Sequence, residues 1–252
     1  MNLKGIVRYD GGDFAGWQTQ PRERTVQGVI EEALGLIARQ PVRIHGAGRT
    51  DAGVHALAQV FSCEWPREDA SLDRVRRSLS RMLGPAIRVE ALEPVVEAFH
   101  ARKSAVSKRY AYTLHLGREP DPFACRYGWT APPGVDLAKA AERLRRIEGV
   151  HDFAGFQGSK SSVTDTVRTI HSARLLEGGV IGPRDAAGLY RIELHGGGFL
   201  YKMARNLVGT VVDIARGRLP ESALEERLAA PAPYRGHTAP AHGLTLLEVL
   251  YD

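Results

Sequence analysis

The chain has 252 residues, of which 43% are hydrophobic and 25% charged, and its formal net charge is +5 at neutral pH. This balance excludes a disordered or fibrous chain, and the basic excess makes a polyanion such as nucleic acid a reasonable partner. No run approaches the roughly 20 apolar residues of a membrane helix, and because no basic-then-apolar run opens residues 1–10 we expect no signal peptide. Cys63 and Cys125 cannot build a disulfide framework, so we expect a protein of the reducing cytoplasm.

The N-terminal part of the chain predicts alternating strands and helices. Residues 3–9 predict a strand, and a glycine-rich loop with Phe14 and Trp17 follows. These two rings either stack on nucleic-acid bases or close the hydrophobic core, and the core is favoured for Phe14. Thr25 is predicted to cap an amphipathic helix. Further elements are expected in chain order: strands at 42–45 and 55–61, an arginine-rich helix at 71–83 and a strand at 87–92.

The loop at residues 46–56 reads GAGRTDAGVHA and carries a single carboxylate, Asp51. In an extended segment Arg49 would point to the same side as Asp51, and a cation that close favours the ionised acid. Such a carboxylate suits a nucleophile or a fixed anion. A glycine-rich turn with a surface ion pair is the alternative interpretation. The third glycine of a dinucleotide fingerprint and the Gly-Lys of a phosphate-binding loop are both missing.

The second part of the chain begins with basic residues interleaved with aromatic ones, a pattern typical of nucleic-acid surfaces. Tyr110 starts an alternating strand, where it belongs either to a buried aromatic face or to a base pocket. A long helix is predicted to open at Phe199 and to be buried along one apolar stripe, with Lys202 and Arg205 together on a different face near its start. Other elements are expected in chain order: a basic helix at 137–147, strands at 167–176 and 188–195, and a closing strand at 244–251. The charges of the basic helix, Arg143 among them, are expected to face either RNA or water.

The run His195-Gly-Gly-Gly resembles the oxyanion-hole segment of lipases. That fold also requires a Gly-x-Ser-x-Gly nucleophile elbow, and the sequence contains none. The sequence therefore argues against an esterase.

Residues 48–56, GRTDAGVHA, resemble the active-site motif of the tRNA pseudouridine synthase A family. The match is long and contains unusual residues. Other stretches resemble the same family in order along nearly the whole chain: residues 14–18, 27–28, 99–102, 110–112, 151–153, 199–201 with 203 and 205–206, 239–240 and 243–244. Ala204 departs from the family, which often has valine at this position.

The resemblance implies an isomerase that converts uridine to pseudouridine in the anticodon arm of tRNA, at positions 38 to 40, without a cofactor or metal. It also implies an α+β fold of two similar halves that share a mainly antiparallel sheet flanked by helices, with the active-site cleft between them. The halves would comprise residues 1–104, with the aspartate loop, and 105–252, with the rest of the cleft and RNA-binding surface. The family acts as a homodimer in which one tRNA touches both subunits.

The same resemblance implies that Asp51 is the nucleophile on a uridine flipped out of its helix. It would attack ribose C1′ or the uracil ring, or else act as a base at C2′. Arg49 would aid flipping or hold the RNA backbone, Tyr110 would pack on the extruded uracil, and Arg205 would pair with Asp51. Further substrate-binding residues are implied at Leu244, Arg102 and Lys202.

Two other functional classes remain open from the residues alone. A non-catalytic tRNA-binding protein could use the basic elements while Asp51 only braces a turn. A metal-dependent nuclease would need clustered carboxylates, whereas the motifs supply one.

Overall fold

The computed structural model describes residues 1–67, 71–117, 121–122, 124–159, 161, 163–182, 187–229 and 232–252. The chain divides into two compact units. The first comprises Met1–Val106 together with Leu246–Asp252, and the second comprises Ser107–Thr245. The first boundary falls two residues beyond the one expected at 104, and the C-terminal segment belongs with the first unit.

The first unit is an antiparallel sheet with two helices. The elements in chain order are β1 (Asn2–Tyr9), α1 (Val26–Ala38), β2 (Ile44–Gly46), β3 (His55–Glu64), α2 (Leu72–Met82), β4 (Ile87–Val95) and β10 (Leu244–Leu250), of which the residues from Leu246 onward belong to this unit. Three central strands pair in the order β4-β1-β3, and β2 and β10 also pair with β3.

Local sequence signals explain these elements. Every second residue of β1 is buried, with Leu3 and Val7 fully so, as expected for a strand with one face on the core. The predicted cap of α1 is confirmed, because the Thr25 hydroxyl accepts a hydrogen bond from the Gly28 amide at 3.2 Å. Ser71 precedes α2 as expected but makes no side-chain cap bond.

The main elements of the second unit in chain order are β5 (Ser107–His115), β6 (Trp129–Thr130), α3 (Leu137–Arg145), β7 (Gly149–Asp152), β8 (Val167–Glu177), β9 (Leu189–Gly196), α4 (Met203–Ala215) and α5 (Ala223–Ala229). Its sheet has the strand order β5-β9-β8-β7 with antiparallel pairs, and the short strand β6 is parallel to β5. Both units therefore belong to the α+β class that the sequence predicted.

Three expectations for the second unit need correction. The long helix begins at Met203, four residues after Phe199, because Lys202 adopts a left-handed φ of 60° that a continuous α-helix does not allow. That helix is buried on nearly every side rather than along one stripe. In α3, Arg143 faces neither RNA nor water: it is buried and paired with Glu225 of α5 at 3.2 Å.

Candidate functional site

The Asp51 loop joins β2 to β3 in the first unit. Its backbone forms a tight turn in which the Val54 amide donates to the Asp51 carbonyl at 3.1 Å, and Gly53 takes a positive φ of 79°. The turn leaves Asp51 half-buried and the neighbouring Ala52 exposed. A carboxylate is thus presented at the surface of the unit by a short, defined turn.

The segment at 14–18 holds this loop from one side. The Trp17 amide donates to the Thr50 carbonyl at 3.0 Å, and Gly16 has a φ of 98°. A Cβ on Gly16 would lie 2.7 Å from the Thr50 oxygen, and one on Gly46 would lie 2.4 Å from the Trp17 indole nitrogen. Phe14 and Trp17 are 3% and 1% exposed, so both rings close the core and neither is a base-stacking platform.

A buried polar pair holds the loop from below. The Tyr9 hydroxyl lies 2.8 Å from the hydroxyl of Thr50, the residue that precedes Asp51 in the sequence. Burial raises the pKa of Tyr9 to about 12, although hydrogen bonds from Thr50 and Gln59 oppose the rise. Gln59 in turn donates to the Gly48 carbonyl at 3.0 Å. Thr50 and Gly48 are therefore tied to one buried hydroxyl.

The stem of the loop is set by a second buried network on α1. The Gln27 amide donates to the Glu31 carboxylate at 2.9 Å and to the Ile44 carbonyl at 3.1 Å. Glu31 also accepts from the Ile44 amide at 3.0 Å and pairs with Arg43 at 2.9 Å. These bonds attach the start of β2 to α1, and β2 then leads into the Asp51 loop.

Arg49 does not form the ion pair that its spacing suggested. Residues 49–51 follow the end of β2 at Gly46 and lead into the turn, so they do not continue the strand. The Arg49 side chain is exposed, and it makes no ion pair within the described parts of the chain. It points its charge to solvent beside the Asp51 loop.

Arg102 lies in the first unit, on the turn at residues 100–104. Its side chain is exposed, and its backbone amide donates to Nδ1 of His100 at 3.1 Å. Ala101 of this turn packs with Ala47 and Val60 in one buried cluster, so the turn contacts the stem of the Asp51 loop. The structure thus brings Asp51, Arg49 and Arg102 into one region of the first unit.

The remaining predicted residues lie in the second unit. Tyr110 is on β5, 7% exposed, with its ring edge-on to Phe199 at 4.9 Å between centroids. Leu244 is 6% exposed at the start of β10. Both predicted alternatives for Tyr110 stay compatible with this placement, since a buried ring can also form one wall of a pocket.

Arg205 is anchored at the start of α4. Its Nε donates to the Ala239 carbonyl at 2.8 Å, and the Ala239 amide donates to the Arg205 carbonyl at 3.2 Å. Burial raises the pKa of Tyr112 and the Arg205 charge opposes that rise, whereas burial lowers the pKa of His242 and the Arg205 charge lowers it further. The guanidinium therefore acts on β5 and on the segment just before Leu244.

Lys202 does not share a helical face with Arg205, because it precedes α4 in a left-handed conformation. Its ammonium lies 5.3 Å from the centroid of the Tyr201 ring, which is itself 40% exposed.

Sequence reasoning missed the residues that brace the loop. Thr50 is within the aspartate motif and Tyr9 ends the predicted strand at 3–9, but nothing in one sequence indicates that two hydroxyls 41 positions apart meet. Buried glutamine and glutamate at Gln27 and Glu31, one turn apart on the apolar side of a predicted helix, were the available signal.

The described residues contain no group of three or more metal-ligating side chains that could hold an ion. None of the helices formed by these residues is long and apolar enough to cross a membrane. Both cysteines are free thiols, with Cys63 buried and Cys125 half-buried.

Comparison with known proteins gives consistent matches. A family model described as tRNA pseudouridine synthase matches residues 6–102 and 144–252. Relatives named tRNA pseudouridine synthase A occur in Streptococcus mutans (39% identity, 100% of this chain and 99% of the relative), Bacillus licheniformis (37%, all of both chains) and Solibacter usitatus (41%, 99% of both).

Proposed function

Because the chain belongs to the tRNA pseudouridine synthase A family, we propose that it converts uridine to pseudouridine at positions 38 to 40 of the tRNA anticodon arm. The protein is an isomerase that acts on tRNA uridine. The observation that carries the finer proposal is the Asp51 loop, a half-exposed carboxylate on a turn braced by Trp17, Tyr9 and Gln59. Nothing supports a non-catalytic tRNA-binding protein.

The reaction needs little beyond such a group. The bond between N1 and ribose C1′ breaks, a bond between C5 and C1′ forms, the C5 proton leaves and N1 gains a proton. Substrate and product are isomers, so no oxidant or reductant enters the balance, and we propose no cofactor. One ionised carboxylate suffices as a covalent or electrostatic catalyst.

We assign the catalytic role to Asp51, with three routes open: attack on C1′, attack on the uracil ring, or removal of a proton at C2′. A rigid loop favours each of them, because a reacting group held in place avoids the entropic cost of finding its geometry. The backbone and hydroxyl contacts around Thr50 supply that rigidity in the free enzyme.

The target base must leave its stacked position before the carboxylate can reach it. Exposed Arg49, beside the loop, is suited to stabilise the opened RNA or hold its backbone. Tyr110 and Leu244 offer apolar surface on which an extruded uracil can pack. We assign to Arg205 the role of the cation that balances negative charge in the reaction. Arg102 and Lys202 are assigned to RNA binding.

The proposed partner is tRNA, and the proposed assembly is a homodimer in the cytoplasm. The basic net charge of +5 supports a polyanionic partner. Light scattering with and without tRNA tests the dimer directly.

The test of function uses anticodon-arm tRNA labelled with tritium at uridine C5, because isomerisation releases that label. Asp51→Asn keeps the size of the side chain and removes its charge. We expect tritium release at positions 38 to 40 to stop while tRNA binding stays within a few fold. Undiminished release would overturn the role of Asp51. Wild-type release in excess chelator is expected to be unchanged, and its loss would overturn the proposal that the isomerisation needs no metal.

A further inference from the structure

The turn at residues 100–104 is a rigid element attached to the stem of the Asp51 loop. The Ala101 amide donates to the Ser62 hydroxyl at 3.0 Å, and the Tyr251 hydroxyl donates to the Ala101 carbonyl at 2.7 Å. Ala101 is fully buried against Ala47, which lies four residues before Asp51. Four residues of chain span at most about 14 Å, so this turn lies close to the proposed catalytic group.

This turn concentrates donors for an anion. Arg102 and Lys103 are exposed, and neither cation has an ion-pair partner among the residues that the structure describes. The rings of His100 and His45 stack at 5.0 Å between centroids, with His45 exposed on β2. His100 therefore stacks on His45 and lies near enough to the Lys103 and Arg102 cations to feel their charges.

The protonation of His100 follows from its hydrogen bonds. Its Nδ1 accepts from the amides of Arg102 and Lys103 at 3.1 and 3.4 Å, so the ring proton sits on Nε2. Burial lowers the pKa of His100, and the charges of His45, Lys103 and Arg102 lower it further. The neutral ring thus offers its Nε2–H as a donor beside the cations Arg102 and Lys103. A bound anion would reduce the repulsion between these two charges.

We propose that His45, His100, Arg102 and Lys103 form a phosphate-binding surface, the 100–104 surface, that grips the tRNA backbone next to the target uridine. The proposal rests on the proposed function, since it names tRNA as the anion. Two cations would neutralise phosphates and release counterions, whereas Nε2 of His100 would donate a neutral hydrogen bond. Positioning the RNA backbone from the stem of the loop would set the register at which the flipped uridine meets Asp51.

The test measures tRNA affinity as a function of salt in an Asp51→Asn background, so that the RNA is not converted during binding. The double variant Arg102→Gln, Lys103→Gln is expected to weaken binding roughly tenfold at 0.15 M salt. It should also reduce the slope of log K against log salt by about 1.5 to 2, one phosphate per cation. His100→Asn keeps an acceptor near Nδ1 but removes the Nε2 donor, and should weaken binding about threefold with little change of slope.

The matched control is Arg81→Gln, which removes an exposed cation at the end of α2 in the same unit. Its affinity and slope should stay near those of the parent. If the control lost as much tRNA affinity as the double variant, a general charge effect would explain both results and the proposal would be overturned. An unchanged slope of log K against log salt in the double variant would also overturn it. Thermal melting checks that each variant is folded. Failure of the proposed function would be detected by a separate measurement, in which the Asp51→Asn variant would still release tritium from labelled tRNA.

Discussion

The Asp51 loop in the first unit and the Arg205 region in the second are held by different means. The loop depends on close approach of backbone, with Gly16 and Gly46 placed where a Cβ would collide with Thr50 and Trp17. Arg205 depends on a polar anchor, the paired bonds to the buried Ala239. The proposed catalytic carboxylate is thus fixed through its own main chain, whereas the Arg205 cation is fixed through its side chain.

This difference predicts different sensitivities. A carboxylate carried on a braced main chain should respond to small changes in the groups beneath it. A long cationic side chain should respond to loss of its particular donor geometry even when its charge is kept. The variants below test these two expectations, beginning with a change that removes the second anchor as a whole.

Gly209→Ala should have the largest effect. A Cβ at this position would lie 1.8 Å from the His237 carbonyl oxygen, so α4 and the segment leading to Ala239 must separate. We expect the free energy of unfolding to fall by roughly 3 kcal/mol, with loss of activity. Gly35→Ala on α1 is the matched control, because its Cβ would make an ordinary 3.5 Å contact. Denaturant titration should show the control unchanged or stabilised by about 0.5 to 1 kcal/mol.

Arg205→Lys tests whether geometry or charge matters in the second region. Lysine keeps the cation but has no Nε–H to donate to Ala239. We expect single-turnover tritium release to fall on the order of 100-fold, with tRNA affinity nearly unchanged. Arg216→Lys at the other end of α4 is the control, since its Nε makes a similar bond to the Pro133 carbonyl at 3.1 Å. Wild-type rates in Arg205→Lys would mean that charge alone suffices.

Thr50→Val tests the brace beneath the first region. Valine has the shape of threonine but leaves the buried Tyr9 hydroxyl without its 2.8 Å partner. We expect kcat to fall about tenfold at unchanged KM, and stability to fall by about 1 kcal/mol. Thr50→Ser retains the hydroxyl and should restore most of kcat. A serine variant as slow as the valine variant would contradict the role of the hydroxyl pair.

The sequence predicted the elements better than the contacts between them. Thr25 predicted the start of α1 because an N-cap residue acts on the helical turn that directly follows it. The aspartate motif was recognisable because its residues are contiguous in the sequence. The start of α4 was misplaced because the left-handed turn at Lys202 overrides its helical periodicity. The hydroxyl pair and the His45–His100 stack could not be predicted, since each joins residues far apart in the chain.

The smallest expected effect concerns alkaline stability. Tyr9 has a folded-state pKa of about 12 against an ordinary value of 10, because burial disfavours the phenolate. The unfolded chain therefore loses this proton first, and the stabilisation present below pH 10 is lost as the pH rises toward 12. Burial also raises the pKa of Tyr112 in the second unit, which donates to the Pro240 carbonyl at 2.8 Å, so both regions should weaken together.

Tyr9→Phe removes one of these titrations. Its free energy of unfolding should decline less steeply between pH 10 and 12 than that of the wild type, by a fraction of the ~2.7 kcal/mol that two pKa units allow. At pH 7 the variant should still show the slower kcat of the Thr50→Val enzyme, because it breaks the same brace. Parallel pH slopes in Tyr9→Phe and wild type would show that the phenol is not buried as described. The first region would then depend on Trp17 and Gln59 alone.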